Sequence, residues 1–385
     1  MRNMKKFNTT EPDCDLLYIT FIDMESNFHT GSSVRPLNML KAFQELGLTM
    51  KVLSGEKTKK KKRRKKIEEI IHWLDTNTPK FCYIEPPSGP FYDWKDLYLI
   101  KKLHIKKIPI GLFYRDAYWM FPEYGADGKK VSFQKKIKLF IIKGMQQRDL
   151  RVFKRTCDHI FFPSDSMADY FHFKSQSALP PGCVIRKDIH YDSEEFVQKE
   201  TLTFIFVGGA ARNHGTFLTL EAFEKVNQNK VVARLIYICP RKQWDDIKNE
   251  AYKKEYLRWL SIYHVSGDEE LASFYKKADV ALLAAPNTEY RNFAVPVKIF
   301  EYISYGKPVL VTNCYETEKA VLENQVGWSV PDNASSVCRK IFFLYENQKE
   351  IYEKRSFCKK ACMHNSWVNR AKEVLDVLSS KSAHL

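Results

Sequence analysis

The chain has 385 residues and a formal net charge of +16. Its mass of 45.2 kDa is about twice what one hydrophobic core usually supports, so two domains are expected. Hydrophobic residues make up 44% and charged residues 28%, which excludes wholesale disorder, a collagen-like repeat and a multi-span membrane protein. No uninterrupted apolar stretch approaches the ~20 residues that cross a bilayer, and the basic start MRNMKKFNTT has no apolar run behind it to make a signal peptide. The 9 cysteines run from Cys14 to Cys362 without paired spacing, the pattern of free thiols in a reducing, cytoplasmic setting.

In chain order, residues Asp15–Asp23 read as a buried strand, a continuous apolar run bounded by polar residues. Gly31-Ser32-Ser33 opens a helix with apolar Leu37, Leu40, Phe43 and Leu46, Gly47 stops it, and Met50–Leu53 is the next strand. This is a βαβ unit with glycine at the strand-to-helix junction. A helix at Lys65–Leu74, a strand at Phe81–Glu85 and a helix at Asp96–Leu103 follow. A strand at Ile108–Tyr114, a basic helix at Phe133–Arg155 and a strand at His159–Pro163 complete the first half.

Around Pro180–Gln198 the period breaks into a polar linker. The alternation then restarts with strands at Thr201–Val207, Ala233–Cys239, His264–Val265, Val280–Leu283 and Pro308–Thr312. Helices are expected at Gly215–Val226, Glu269–Lys277, Lys298–Tyr305 and Thr317–Glu323, with a mostly helical tail from Ala334. The fold class is therefore α/β: two Rossmann-like, doubly wound domains with an interdomain cleft. The expected divisions are residues 1–190, residues 200–360, and a terminal helix in 361–385 packing back on the first domain.

The most informative segment is Val280–Gly327. A strand ends at Pro286, a polar loop follows, and a helix begins near Val297 with Lys298 and Glu301 in its first turns. Gly306, Lys307 and Pro308 then turn into another strand. The run Pro296, Lys298, Glu301, Tyr302, then Gly306-Lys307-Pro308, resembles the donor site of nucleotide-sugar glycosyltransferases of family four, the GT-B plan. The resemblance implies that Glu301 accepts both ribose hydroxyls, a task suited to a carboxylate. It also places the donor diphosphate at the helix start, where orphan N–H groups and Lys298 favour an anion. Gly31 and Ser32 match the family's glycine-rich loop, and Leu179–Gly182 falls where the family's chain crosses between domains.

Three positions depart from the family. The paired-acid motif E-x7-E has Phe293 where its first acid belongs, and the G-R of the second domain's first turn is replaced by Gly208-Gly209, with Arg212 the nearest guanidinium and His214 in place of a lysine. The family histidine after the fourth strand is replaced by Arg115-Asp116. The expected donor-binding set is Gly31, Ser32, Gly208, Gly209, Arg241, Phe293, Ala294, Pro296, Lys298 and Glu301. The expected catalytic set is Lys298, Arg212, Arg115 and Asp116.

The resemblance implies transfer from a nucleotide-diphosphate sugar, a UDP-sugar by family frequency, to a glycan or lipid-linked acceptor, with retention and without metal or cofactor. Two basic segments suggest an anionic membrane surface on the cytoplasmic face: Lys57–Lys66, with nine cationic residues and no acid, and the helix Phe133–Arg155 with Phe133, Ile137, Ile141 and Met145 at i, i+4 spacing among Lys135, Lys136, Lys138 and Lys143. The basic block lacks the interleaved aromatics of a nucleic-acid reader. A catalytically silent subunit supporting a partner enzyme is the alternative that Phe293 and the missing histidine raise.

Overall fold

The computed structural model describes residues 14–24, 32–91, 93–121, 133–189 and 196–382. Its first half contains β1 (Cys14–Thr20), α1 (Val34–Glu45), β2 (Met50–Leu53), α2 (Lys60–Thr76), β3 (Pro79–Glu85) and α3 (Trp94–Ile105). There follow β4 (Ile110–Phe113), α4 (Phe133–Thr156), β5 (His159–Phe162), α5 (Asp165–Ala168) and β6 (Gln176–Ala178). The second half contains β7 (Leu202–Val207), α6 (Thr216–Val226), β8 (Ala233–Ile238), α7 (Arg241–Ala251), β9 (Leu260–Tyr263), α8 (Asp268–Lys277) and β10 (Val280–Leu283). It continues with α9 (Glu289–Phe293), α10 (Val297–Ser304), β11 (Val309–Thr312), α11 (Tyr315–Glu323) and β12 (Gly327–Val330), then α12 (Ala334–Glu346), α13 (Lys349–His364) and α14 (Trp367–Ser382).

The strands form two six-stranded sheets, ordered β2-β1-β3-β4-β5-β6 and β12-β11-β10-β7-β8-β9. Every strand pair is parallel. Parallel strands covered by helices on both faces must be apolar throughout, which is why they read as continuous hydrophobic runs. In each sheet the winding direction reverses once, between β1 and β3 in the first and between β7 and β10 in the second. At such a reversal the loops leaving neighbouring strands diverge and open a crevice at their carboxyl ends.

The α/β fold expected from the sequence is the fold observed, with local differences. The strand expected at His264–Val265 is β9, ending at Tyr263, and His264 turns out of the sheet so that its ring Nδ1 lies 2.8 Å from the Cys239 carbonyl. The elements β6, β12 and α7 have no counterpart in the sequence reading. In α7 only Trp244 and Ala251 are buried, too few to mark a helical stripe.

Helix α2 begins inside the basic block. Arg63 is buried and donates to Asp96, Thr20 O and Gly55 O, with its guanidinium 3.5 Å from the Phe21 ring centre. Lys57 donates to Ser88 O, Lys59 pairs with Asp23, and Arg64 with Asp93. Much of the block therefore builds the first domain, and Lys59, Lys60, Lys61, Lys62 and Lys65 are its exposed cations.

The chain passes between the halves at two adjacent points. Gly182 lies so close to Trp367 that a Cβ there would sit 2.8 Å from it. Beside it Cys183 N donates to Asn365 O, and Trp367 N donates to Cys183 O. Beyond that point α14 lies against the first sheet, its Trp367, Ala371, Val374 and Leu378 packing among Leu16, Tyr18, Phe81 and Phe113.

Candidate active site

At the second sheet's reversal, the loop after β7 meets the loop after β10. Glycine is required here by contact. A Cβ at Gly208 would sit 2.9 Å from the Phe206 ring, and one at Gly209 2.8 Å from His214. At Gly215, which caps α6 with φ +79, it would lie 1.6 Å from Ala284 O. The two loops are thus locked together at backbone distance. Arg212 lies at the edge of this turn and faces outward: it pairs with Glu250 and stacks on Phe217, 4.0 Å from the ring centre. The guanidinium that enters the turn is that of Arg291, in α9, which donates to Asn213 O at 2.9 Å and lies 3.3 Å from His214 Nδ1. Arg241 is the exposed first residue of α7, after β8.

Helix α10 starts after Pro296, with no side chain capping its first N–H groups. Lys298 Nζ is 2.8 Å from Glu301 Oε2, and Tyr275 OH donates to Glu301 Oε1 at 2.6 Å. Tyr275 in turn stacks on Tyr305, with ring centres 4.1 Å apart. Burial and the adjacent Glu301 carboxylate push the Tyr275 phenol well above its ordinary pKa, so it remains a donor. The Glu301 carboxylate is therefore oriented from two sides and keeps further lone pairs for hydroxyl donors. The rest of the motif is structural. Tyr302 OH accepts from Val207 N at 3.0 Å and so braces the end of β7. Lys307 is buried and donates to Ala278 O at 2.7 Å, and Gly306 adopts φ 64 to make the turn.

On the first-domain side, Gly31 lies outside the described residues. Ser32 O accepts from Arg115 Nη2 at 2.9 Å. Asp116 Oδ1 accepts from Tyr118 N at 2.9 Å and from Tyr290 OH, in α9 of the second half, at 3.0 Å. Burial holds the Asp116 carboxyl above its ordinary pKa. Asp116 thus joins the two domains.

Phe293 does the same. Expected beside the donor, its ring is buried in the first domain's core. Its ring centre lies 5.3 Å from those of Phe121 and Tyr170 and 5.2 Å from that of Tyr290. Its carbonyl accepts from Ser164 Oγ at 2.6 Å. Tyr170 OH donates to Glu289, and Ser166 to Glu316. A benzyl group at this position anchors α9 to the opposite domain.

The fold agrees with that of other proteins. Residues 189–361 match the family model for glycosyl transferases group 1. That match spans α10 and the loops that follow β7 and β10. Solved structures similar to the chain include sucrose-phosphate synthase from Thermosynechococcus elongatus, with TM-score 0.66 and 12% identity, covering 96% of this chain and 100% of that one. A glycosyltransferase from Rickettsia africae aligns with TM-score 0.65 and 12% identity, covering 96% and 99%. The Anabaena protein HepE, in complex with UDP and glucose, aligns with TM-score 0.63 and 12% identity, covering 95% and 100%. Among curated protein sequences none matches.

The sequence-predicted residues therefore fall into three groups. Lys298, Glu301, Pro296, Ala294, Gly208 and Gly209 gather around the second sheet's crevice. Ser32, Arg115 and Asp116 stand at the first. Arg212 and the Phe293 ring point elsewhere, and Arg241 is exposed at the start of α7. Arg291 and Tyr275 were missed because neither sits in a recognisable run, although an arginine between a strand end and a helix start is a signal that charge alone offers. Among the described residues no group of three or more His, Cys, Asp or Glu side chains has the placement to hold a metal ion.

Proposed function

We propose that the chain transfers a sugar from a uridine diphosphate donor to a glycan or lipid-linked acceptor, with retention at the anomeric carbon. The observation that carries this reading is the doubly held Glu301 carboxylate at the start of α10, beside the crevice where β7 and β10 part. Ribose hydroxyls would donate to Glu301. Lys298 would exchange its contact with that carboxylate for the donor's diphosphate, joined by Arg291 and the amides at the start of α10. Charge developing on the leaving diphosphate would then be met by two cations already in place, without a metal ion, which is the positioning and electrostatic work this chemistry requires. The acceptor's proton would pass to the departing diphosphate on the same face.

The experiment is release of UDP from a panel of UDP-sugars by the purified chain, with and without EDTA. Turnover that survives chelation supports the reading. UDP binding without hydrolysis or transfer under any condition would favour the silent subunit instead.

The membrane reading has its own support. Helix α4 exposes Phe133, Ile137, Phe140 and Ile141, the phenylalanines by 77% and 79%, with exposed Lys136, Lys138 and Lys143 around them. Apolar side chains ringed by lysines suit the headgroup boundary of an anionic bilayer. No helix among the described residues is long and apolar enough to cross a membrane.

A further inference from the structure

Two of the five residues of α9, Tyr290 and Phe293, belong to the other domain's apolar core, whose remaining described members all come from the first half of the chain. Phe293 is 3% exposed, and its ring completes a cluster with Phe121, Tyr170 and Tyr290. Polar bonds around that cluster cross between the domains. Tyr290 OH donates to Asp116 at 3.0 Å, Ser164 Oγ to the Phe293 carbonyl at 2.6 Å, and Tyr170 OH to Glu289 at 2.9 Å. Glu316 of α11, itself buried, accepts from Ser166 N at 3.3 Å and from Ser166 Oγ. The same short helix is fastened to its own domain: Asn292 Oδ1 accepts from Tyr315 N at 2.9 Å, and Arg291 donates to Asn213 O. Domains joined by a small polar interface move relative to one another by default, whereas an apolar centre with a polar rim is the anatomy of a stable contact.

We infer that α9 is an interdomain latch that holds the two domains closed before any ligand binds. Opening the molecule withdraws the Phe293 ring from the first domain, which exposes the ring to water and leaves a ring-sized gap beside Phe121 and Tyr170. The polar groups of the rim exchange their partners for water on opening, so they set the alignment of the latch more than its strength. The covalent crossings lie elsewhere, where Cys183 meets Asn365 and Trp367, so hinge and latch are different parts of the molecule. Because α9 also carries Arg291 to the turn after β7, the latch and that crevice move as one body. The inference concerns the resting state of the fold and stands apart from the donor reading.

The test is small-angle X-ray scattering of the full chain without ligand. The parent is expected to fit one closed arrangement, that of this structure. Phe293→Glu puts a carboxylate among aromatic rings, where it finds no partner, and should shift the balance toward the open form by about a hundredfold or more, seen as a larger radius of gyration. Tyr290→Asp places a second carboxylate against Asp116 and should open the molecule in the same way without altering the buried Phe293 position, which keeps the test intact should Phe293→Glu fold poorly. Phe293→Leu keeps an apolar side chain in the cluster and should scatter as the parent does. Adding UDP should leave the parent curve unchanged. A parent that already samples separated domains, a parent that contracts on adding UDP, Phe293→Glu and Tyr290→Asp chains as compact as the parent, or a Phe293→Leu chain as expanded as Phe293→Glu overturns the inference. The ligand-free curves need no donor: the expected ordering in a chain that binds no UDP sinks the proposed function and keeps the latch, and UDP turnover by an open parent does the reverse.

Discussion

Replacing Glu301 by glutamine changes one oxygen for an NH₂ group and removes a charge at the point where two donors already converge. Tyr275 OH approaches Oε1 at 2.6 Å and Lys298 Nζ approaches Oε2 at 2.8 Å. The amide can satisfy one of them with its oxygen but turns a donor toward the other. The ribose hydroxyls would lose a charge-assisted acceptor, which costs roughly 1.5–3 kcal/mol, or about ten- to a hundredfold in affinity. The ion pair itself is partly exposed, with side-chain exposures of 30% and 18%, so the change in folding stability should stay within about 1 kcal/mol. The assay is calorimetric titration with UDP and with uridine. Because ribose is common to both ligands, Glu301→Gln should weaken them by the same factor. Parent-like UDP binding by Glu301→Gln would falsify the ribose assignment. A loss confined to UDP would move Glu301 to the diphosphate.

Arg291→Ala should weaken UDP about tenfold or more and uridine little, since a cation in a crevice is felt by the diphosphate alone; Arg212→Ala, its guanidinium already spent on Glu250, should bind UDP as the parent does, and the opposite ranking in the same titration would restore Arg212. Gly215→Ala forces a side chain into a left-handed backbone and onto Ala284 O, so the melting temperature should fall by the equivalent of well over about 2 kcal/mol, and a parent-like melt would refute the close packing of the two loops. Phe140→Asp with Ile137→Asp should abolish sedimentation with vesicles containing phosphatidylserine, and unaltered binding would move the membrane surface off α4. Burial and nearby Lys381 push the His159 pKa down from 6.5 to about 4. The unfolded chain therefore takes up the proton first: this contribution to stability is complete above pH 6.5 and is lost as the pH falls toward 4, by up to about 3 kcal/mol. His159→Gln should flatten that dependence in melts at pH 7 and pH 4.5, and an unchanged slope would place the titration elsewhere.

The sheets were legible because buried parallel strands must be apolar over most of their length, as Leu16–Ile19 of β1, Phe204–Val207 of β7 and all of β10 are. Elements with weaker constraints were not: α7 buries little, and β6 is a three-residue edge strand. In the candidate site, Lys298 and Glu301 were readable because they sit three residues apart in a dense run. Arg291 was not, because its position depends on contact with Asn213 across a sheet reversal that no local spacing records. Phe293 shows the limit from the other direction. A motif position marked it for the donor, whereas an aromatic ring beside Phe121, Tyr170 and Tyr290 is drawn by burial to the first domain. The basic block read as one surface, but Arg63 within it finds a carboxylate and two carbonyls in the core, and only long-range structure reveals that.

The most direct measurement is calorimetric titration of the full chain with UDP, GDP and CDP under identical conditions. The account predicts that UDP binds most tightly, with the preference kept in the presence of EDTA. Tighter binding of GDP or CDP, or no binding of any nucleoside diphosphate, would contradict it.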